Sequence, residues 1–461
     1  MRRGKRVRGL ASASLAVALL AAGCTQGVTG TPGAAGLRDP YFPRLGNGGY
    51  DVRHYALTLA YDPGTGRLDG TAEITARATQ DLSAFNLDLA GLTVHGATVD
   101  GEPASVRRAG QELTLRPRSD LARGATFRTA VRYSGTPRTV TDADGSREGW
   151  LPTDDGALAL GQPAGSTAWF PGNHHPSDKA TYDVTVTVPE GYRAIGNGLP
   201  GRARTADGRT TVTWRTTEPM AGYLATLAVG RFDVTTSRTP AGLPVVTATD
   251  RTVTREAAPV LARLPELLGW LTENLGPYPF TSAGVIVERE GDAGYALETQ
   301  TRPVIPADQF TVEILVHELA HQWYGNSVSP RSWRDMWLNE SFATYAEWLY
   351  AEDFEDRPAQ ENHEEAFADP ANWAFPPAEP PTAADISQPP VYGRGAMVLH
   401  KVRQAVGDDA FFGLLRGWAA EHRHGNASTD EFTAYVEEET GEDLTEVWDT
   451  WLYGTEKPDA P

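Results

Sequence analysis

Between about Gly48 and Thr236 hydrophobic and polar residues alternate along the chain. Tyr55, Leu57, Leu59 and Tyr61 are separated by Ala56, Thr58 and Ala60, and Tyr182, Val184, Val186 and Val188 by Asp183, Thr185 and Thr187. A period of two sends one set to each face, so these runs predict strands with one buried side. Turn signals fall between them at Asp62-Pro63-Gly64, Asp100-Gly101 and Asp207-Gly208. No long helical pattern interrupts the region, which predicts a separate β domain, an antiparallel sheet or sandwich. Near residue 250 the period changes. Val260, Leu261, Leu264, Leu267, Leu268 and Leu271 recur at helical spacing. A strand at Gly284–Glu288 and a turn at Gly291–Gly294 follow, then helical stretches near Thr311–Tyr324, Asp335–Tyr350, Gly395–Val406, Ala410–His422 and Thr429–Glu439. Residues 351–390 carry ten acids against one Arg and many prolines, and read as an irregular connection.

Composition bounds this picture. The chain has 461 residues, with 40% hydrophobic and 22% charged, so it is globular and holds more than one domain. With 41 Lys+Arg against 60 Asp+Glu the formal charge is −19, which argues against a nucleic-acid partner. One cysteine excludes an intramolecular disulfide or a Cys-based zinc site.

That cysteine marks the end of an export segment. Arg2, Arg3, Lys5, Arg6 and Arg8 precede an apolar run from Leu10 to Ala22, too short to span a bilayer. Leu20-Ala21-Ala22-Gly23-Cys24 resembles a bacterial lipobox, in which the Cys is lipidated and becomes the mature N-terminus. The expectation is a signal peptide over residues 1–23 and a flexible Gly/Thr/Pro-rich tether over 24–46. The protein is then exported and held by Cys24 on the outer face of the bacterial cytoplasmic membrane, or secreted. Discarding the leader takes the charge from −19 to −24, so attachment relies on the lipid and not on charge.

The chemistry-bearing pattern is His317-Glu318-Leu319-Ala320-His321. Positions i and i+4 share a helix face, so both imidazoles can reach one ion with Glu318 beside it. Two histidine ligands and a carboxylate base form the zinc-peptidase arrangement. Such a match arises by chance in roughly one chain of this length in a hundred. Glu340, 19 residues after His321, can supply a third ligand from an antiparallel helix after the turn at Gly325-Asn326 and Pro330. Glu347 lies about two turns further on the same face, as a partner for a ligand.

His317-Glu318-Leu319-Ala320-His321-Gln322-Trp323-Tyr324-Gly325-Asn326, followed by Trp337-Leu338-Asn339-Glu340-Ser341-Phe342-Ala343, resembles the M1 family of zinc metallopeptidases, the gluzincin aminopeptidases. The resemblance implies one zinc ion per chain, held by His317, His321 and Glu340, with Glu318 as general base. Gly294-Tyr295-Ala296-Leu297-Glu298-Thr299 resembles the family's GxMEN segment, with Tyr295, Leu297 and Thr299 in place of Gly, Met and Asn. By that resemblance Glu298 holds the substrate's α-amine, and Ala296 and Leu297 belong to the substrate site. Tyr392-Gly393-Arg394-Gly395-Ala396 resembles the Tyr-x-Lys-Gly-Ala segment, whose Tyr stabilises the oxyanion. Gln162, ahead of Trp169-Phe170-Pro171-Gly172-Asn173, is the candidate by which the β domain reaches the amine.

The expected fold is α+β and multidomain. An N-terminal antiparallel β-sandwich or saddle (47–237) precedes a thermolysin-like, mainly helical zinc-peptidase domain with a small sheet (238–461). The sequence ends 69 residues beyond Tyr392, so the large C-terminal helical domain of many members is expected to be absent. The expected activity is removal of N-terminal residues from peptides with a free amine, by a chain taken as a monomer. Alternatives are a zinc hydrolase of other specificity, such as an endopeptidase or epoxide hydrolase, or a non-catalytic surface-binding lipoprotein that keeps the fold.

Overall fold

The structure, a computed structural model, describes residues 28–461. The export segment and Cys24 lie outside the described residues. Among those described, no helix is long and apolar enough to cross a membrane.

The β domain contains a twelve-stranded and a five-stranded sheet. Two long antiparallel strands, Tyr50–Asp62 and Arg67–Ala78, lie at the centre of the larger. Tyr55, Leu57, Leu59 and Tyr61 are 1–3% exposed while Thr58 faces solvent, as the alternation predicts. Two pairings depart from the expected antiparallel sense: the short Thr31–Pro32 runs parallel to Leu82–Asp88, and Lys179–Pro189 runs parallel to Tyr50–Asp62. More than a hundred residues separate the latter two strands, and so long a connection can return in either direction. The smaller sheet orders Arg193–Gly196, Leu227–Gly230, Ala157–Leu160, Arg147–Pro152 and Thr139–Thr141. Its Trp150 meets Tyr61 of the large sheet edge-on, ring centroids 5.0 Å apart.

Phe232–Arg238 reads by sequence as part of the β domain. It pairs instead with Pro244–Asp250, which continues to Ala283–Glu288 and Val304–Pro306 in a four-stranded sheet of the second domain. By its pairing, Phe232–Arg238 joins the sheet of the chain that follows it, although it lies before the expected boundary at 237. Alternation identifies a strand but not the sheet it joins.

The helical repeat after residue 250 resolves into α1 (Thr254–Leu261) and α2 (Leu264–Leu275). Pro265 sits in the first turn of α2, where its missing N–H is harmless, so the break falls just before it. α3 (Val312–Ala320) and α4 (Trp337–Phe354) follow. The acidic, proline-rich stretch is ordered and contains α5 (Ala359–Ala368). Beyond it lie α6 (Gly395–Val406), α7 (Asp408–Glu421) and α8 (Thr429–Thr440).

The stretch expected as a flexible tether is packed from residue 28 onward. Thr31–Pro32 pairs with Leu82 and Ala84 at one edge of the large sheet. The buried Asp39 carboxylate accepts hydrogen bonds from Ser332 Oγ (2.7 Å) and the Trp333 amide (2.9 Å), just ahead of α4. The Tyr41 hydroxyl donates to the Pro380 carbonyl at 2.6 Å. Glycine and proline content signalled a linker, but these three anchoring contacts are what fix the segment across both domains.

Further contacts lock the domains together. Lys179 of the β domain donates to the carbonyls of Asn326, Ser327 and Gly425 at 2.9–3.1 Å. Burial pulls its pKa down to about 7, and the three carbonyls take up its three donors. The Tyr223 hydroxyl donates to the Gly325 carbonyl in the turn after α3. Arg302, fully buried, donates to the carbonyls of Gly196, Gly198 and Val246. The cavity described next lies between the β domain and the helices so fixed.

Candidate active site

Thr311 caps α3, its hydroxyl accepting the Ile314 amide, and the helix carries His317 and Glu318 on its last turns. His321 follows as the C-terminal cap, still in helical conformation, so it stays one turn above His317. The chain then reverses through Gly325, at φ +115°. A Cβ there would lie 3.2 Å from His321 Nδ1 and 3.3 Å from the Asn339 side chain, so glycine suits both the conformation and the space. α4 returns antiparallel and presents Glu340 and Glu347.

His317 Nε2 and His321 Nε2 lie 3.5 and 3.3 Å from Glu340 Oε2. One atom from each of the three residues falls within 4.8 Å of the others, and all three residues are buried. The opposite ring nitrogens are occupied. His317 Nδ1 meets Glu347 Oε1 at 2.5 Å, and His321 Nδ1 donates to the Tyr324 carbonyl at 3.1 Å. Both Nε2 lone pairs are thereby directed at the common point, as a histidine-ligated metal requires. Burial disfavours charge on both imidazoles, yet Glu340 outweighs it and holds their pKa values up, with Glu347 adding to this at His317 and Glu298 at His321. The pocket thus favours positive charge. Two imidazoles and one carboxylate, with a fourth direction open to the cavity, fit zinc.

Glu318 faces the same cavity, and its buried Oε2 has no partner among the described residues. Burial pushes its pKa up to about 8, opposed by the two histidines. Glu298, 3% exposed, lies at the cavity wall, and Gln162 of the β domain donates to its Oε1 at 3.0 Å. Ala296 lines the cavity too. Leu297 does not: its side chain is in the core and its backbone pairs with Val304. In extended chain adjacent side chains point to opposite faces, so Glu298 and Leu297 cannot both face the cavity.

Tyr392 lies in a wide helical turn, Pro390–Arg394, ahead of α6 and lines the cavity. Its ring stacks over His317, centroids 6.2 Å apart and planes at 16°. Burial and three nearby glutamates push its pKa well above the usual phenol value, so the hydroxyl keeps its proton and remains a donor. The segment is held by Ser341 Oγ, which donates to the Val391 carbonyl at 2.9 Å. Arg394 donates to the carbonyls of Trp451, Phe375, Thr450 and Gly454, a use for several donors that one ammonium would serve less well. Gly395 is required by close packing, since a Cβ there would overlap Ser341 Oγ at 1.7 Å.

Two residues quoted in the sequence pattern without a role hold the segment that carries Glu298. Gln322 Nε2 and Asn326 Nδ2 both donate to the Glu298 carbonyl, at 3.3 and 2.6 Å. They tie the helix that carries the metal ligands to the segment that carries Glu298. Asp142, Asp144 and Ser387 also line the cavity, and no local pattern marks them.

Residues 52–224 match the model of the peptidase M1 N-terminal domain, and residues 297–451 that of the peptidase family M1 domain. The M1 zinc metallopeptidase of Deinococcus radiodurans is 30% identical in sequence, and its crystal structure aligns with a TM-score of 0.87 over 92% of this chain and 98% of that one. The chain belongs to peptidase family M1. A variant of the same Deinococcus enzyme has been solved with a Tyr-Ser-Ala substrate. Among curated relatives, glutamyl aminopeptidase of Bos taurus is 26% identical over 63% of this chain and 33% of its own length. Aminopeptidase 2 of Candida albicans is 24% identical over 86% of this chain and 46% of its own. The chain thus spans between a third and a half of the length of these curated relatives. Two domains, a β-rich one and a helical one with a small sheet, are what the M1 structures share with it.

Proposed function

We propose that the protein is a zinc-dependent aminopeptidase that hydrolyses the first peptide bond of peptides with a free N-terminus. The observation that carries this is the Glu298–Gln162 pair in the same cavity as His317, His321 and Glu340. A buried carboxylate at the cavity wall favours a cation, and the α-ammonium of a peptide is the cation that would sit one residue from the scissile bond. The aminopeptidase names of curated relatives and the tripeptide bound to the Deinococcus enzyme support the reading.

Bound zinc supplies a Lewis acid for the scissile carbonyl and lowers the pKa of water towards neutrality. Glu318, buried beside the ligand group with one free oxygen, takes the proton of the attacking water and passes it to the leaving amine. The Tyr392 hydroxyl donates to the oxygen that becomes negative in the transition state. Glu298 and Gln162 hold the α-ammonium and set the register. Glu347 and the Tyr324 carbonyl keep the two imidazoles turned inward.

The test is digestion of a defined peptide set by the zinc-loaded protein, with free and N-acetylated forms of each peptide. Stepwise release of N-terminal residues from the free forms alone is expected, and Glu318→Ala should lower kcat by about a thousandfold or more. Cleavage of acetylated peptides at internal bonds would instead favour the endopeptidase alternative. Turnover of an epoxide but not of peptides would favour the hydrolase one. Export and lipidation at Cys24 stand as a separate proposal, checked by the mass of the N-terminal peptide from the native host.

A further inference from the structure

We propose that the cavity selects peptides whose N-terminal side chain is cationic, with Asp142 as the selecting carboxylate. This rests on the aminopeptidase reading and names the substrate class for it.

The hairpin formed by Thr139–Thr141 and Arg147–Pro152 carries a tight turn to the cavity. The Asp142 amide donates to the Ser146 carbonyl at 2.9 Å, and the Gly145 amide to the Asp142 carbonyl at 3.1 Å. Asp142, Asp144 and Ser146 of this turn line the cavity together with Tyr295, Gln162 and Glu298. Glu148, two residues into the second strand, accepts the amides of Ala164 and Gly165 at 3.1 and 2.8 Å. The hairpin is therefore bonded to the loop that bears Gln162, which sets the turn beside the amine-binding end. From the other side Ser387 Oγ of the catalytic domain donates to Asp144 Oδ2 at 2.8 Å. The turn is thus fastened at both ends.

Within it the two carboxylates differ. Asp144 is satisfied by Ser387 and by the Ser146 amide. Among the described residues Asp142 meets only a backbone amide of its own turn, and no cation lies among the groups that influence it. The neighbouring Tyr295 hydroxyl is buried without a partner, and Asp142, Asp144, Glu148 and Glu298 are the charges around it. Among the described residues, none lining the cavity is Lys or Arg. Burial and Asp144 push the Asp142 carboxyl up, a strain that a bound guanidinium or ammonium relieves. A substrate held by its α-ammonium at Glu298 sends its first side chain into this acidic end. An arginine or lysine there finds a free carboxylate, while an acidic side chain meets repulsion. The overall charge of −19 acts in the same direction at longer range.

The experiment compares arginine with citrulline, its neutral near-isostere. kcat/KM is measured for the arginine, citrulline and leucine amide substrates with the wild type, Asp142→Asn and Asp144→Asn, all zinc-loaded. Binding of L-arginine amide and L-citrulline amide is measured in parallel by calorimetry. The wild type should favour arginine over citrulline by about tenfold or more. The ratio should fall to near one in Asp142→Asn and fall less in Asp144→Asn, which keeps an acceptor for Ser387. A wild-type ratio near one, or the same ratio in Asp142→Asn as in the wild type, would overturn the proposal while leucine turnover still upholds the aminopeptidase reading. If leucine amide is not hydrolysed either, that reading fails. The calorimetric ratio then decides on the cation site alone, by the same two outcomes.

Discussion

The metal wall of the cavity comes from one continuous stretch, residues 317–347, folded as two antiparallel helices and a turn. The facing wall is assembled from four separate places: the turn around Asp142, Gln162, the Tyr295–Glu298 segment and the Ser387–Tyr392 segment. On the first wall helix geometry sets the distances, so ligand spacing is a local property. On the second, nothing but the packing of two domains brings Gln162 within 3.0 Å of Glu298, 136 residues away. The metal wall should therefore lose function only through its own residues. The facing wall should be sensitive to whatever positions its parts.

After loss of the Glu318 base, the largest effect should come where the two walls meet over the reacting carbonyl. Tyr392→Phe removes one donor to the developing oxyanion and should lower kcat by about 100–1,000-fold, with KM little changed. A matched change in KM would instead place Tyr392 in ground-state binding. Next is the support of the metal wall. Glu347→Ala strips His317 of its 2.5 Å partner and should weaken zinc binding by about 10–100-fold, seen by competition with a chelator. Saturating zinc should restore most of the activity, which separates this variant from Tyr392→Phe.

The smallest effect concerns the β domain that carries Gln162 and Asp142. Its strands Leu82–Asp88 and Glu112–Arg116 place Asp88 directly opposite Glu112, and burial raises both carboxyls to about 7. Their unfolded values are near 4, so the folded state holds these protons more tightly than the unfolded chain. The fold therefore carries no penalty from them below about pH 4, and it loses stability as pH rises from there through about 7. Tm should be a few degrees higher at pH 5.5 than at pH 8, and Asp88→Asn should narrow that gap. An Asp88→Asn protein with an undiminished gap would assign the pH dependence elsewhere.

The same contrast explains what could be read from the amino-acid order. His317, Glu318 and His321 were legible from helical spacing, Glu347 from its helical offset to Glu340, and Glu340 from the antiparallel return and the M1 resemblance. Tyr392 and Glu298 were legible only through resemblance to M1 motifs. The strands were legible from alternation, but not the parallel pairing of Lys179–Pro189 with Tyr50–Asp62, nor the sheet that Phe232–Arg238 joins. Both depend on where distant chain returns. The packed state of residues 28–46 was hidden because composition outweighed Asp39 and Tyr41, whose partners lie some 300 residues away. The Leu297 side chain turns into the core because the motif names a segment while the strand period sends alternate side chains to opposite faces. Asp142 carries no local signature at all.

The central claim is that the Glu298–Gln162 wall turns a general zinc peptidase site into one that measures from the N-terminus. The direct measurement is the ratio of kcat/KM for a free peptide to that for its N-acetylated form, in the wild type and in Glu298→Ala at equal zinc occupancy. The wild-type ratio should be about 100 or more and should collapse towards one in Glu298→Ala, chiefly through loss of the free peptide. A wild type that cleaves both forms alike, or a variant that discriminates as well as the wild type, would contradict it.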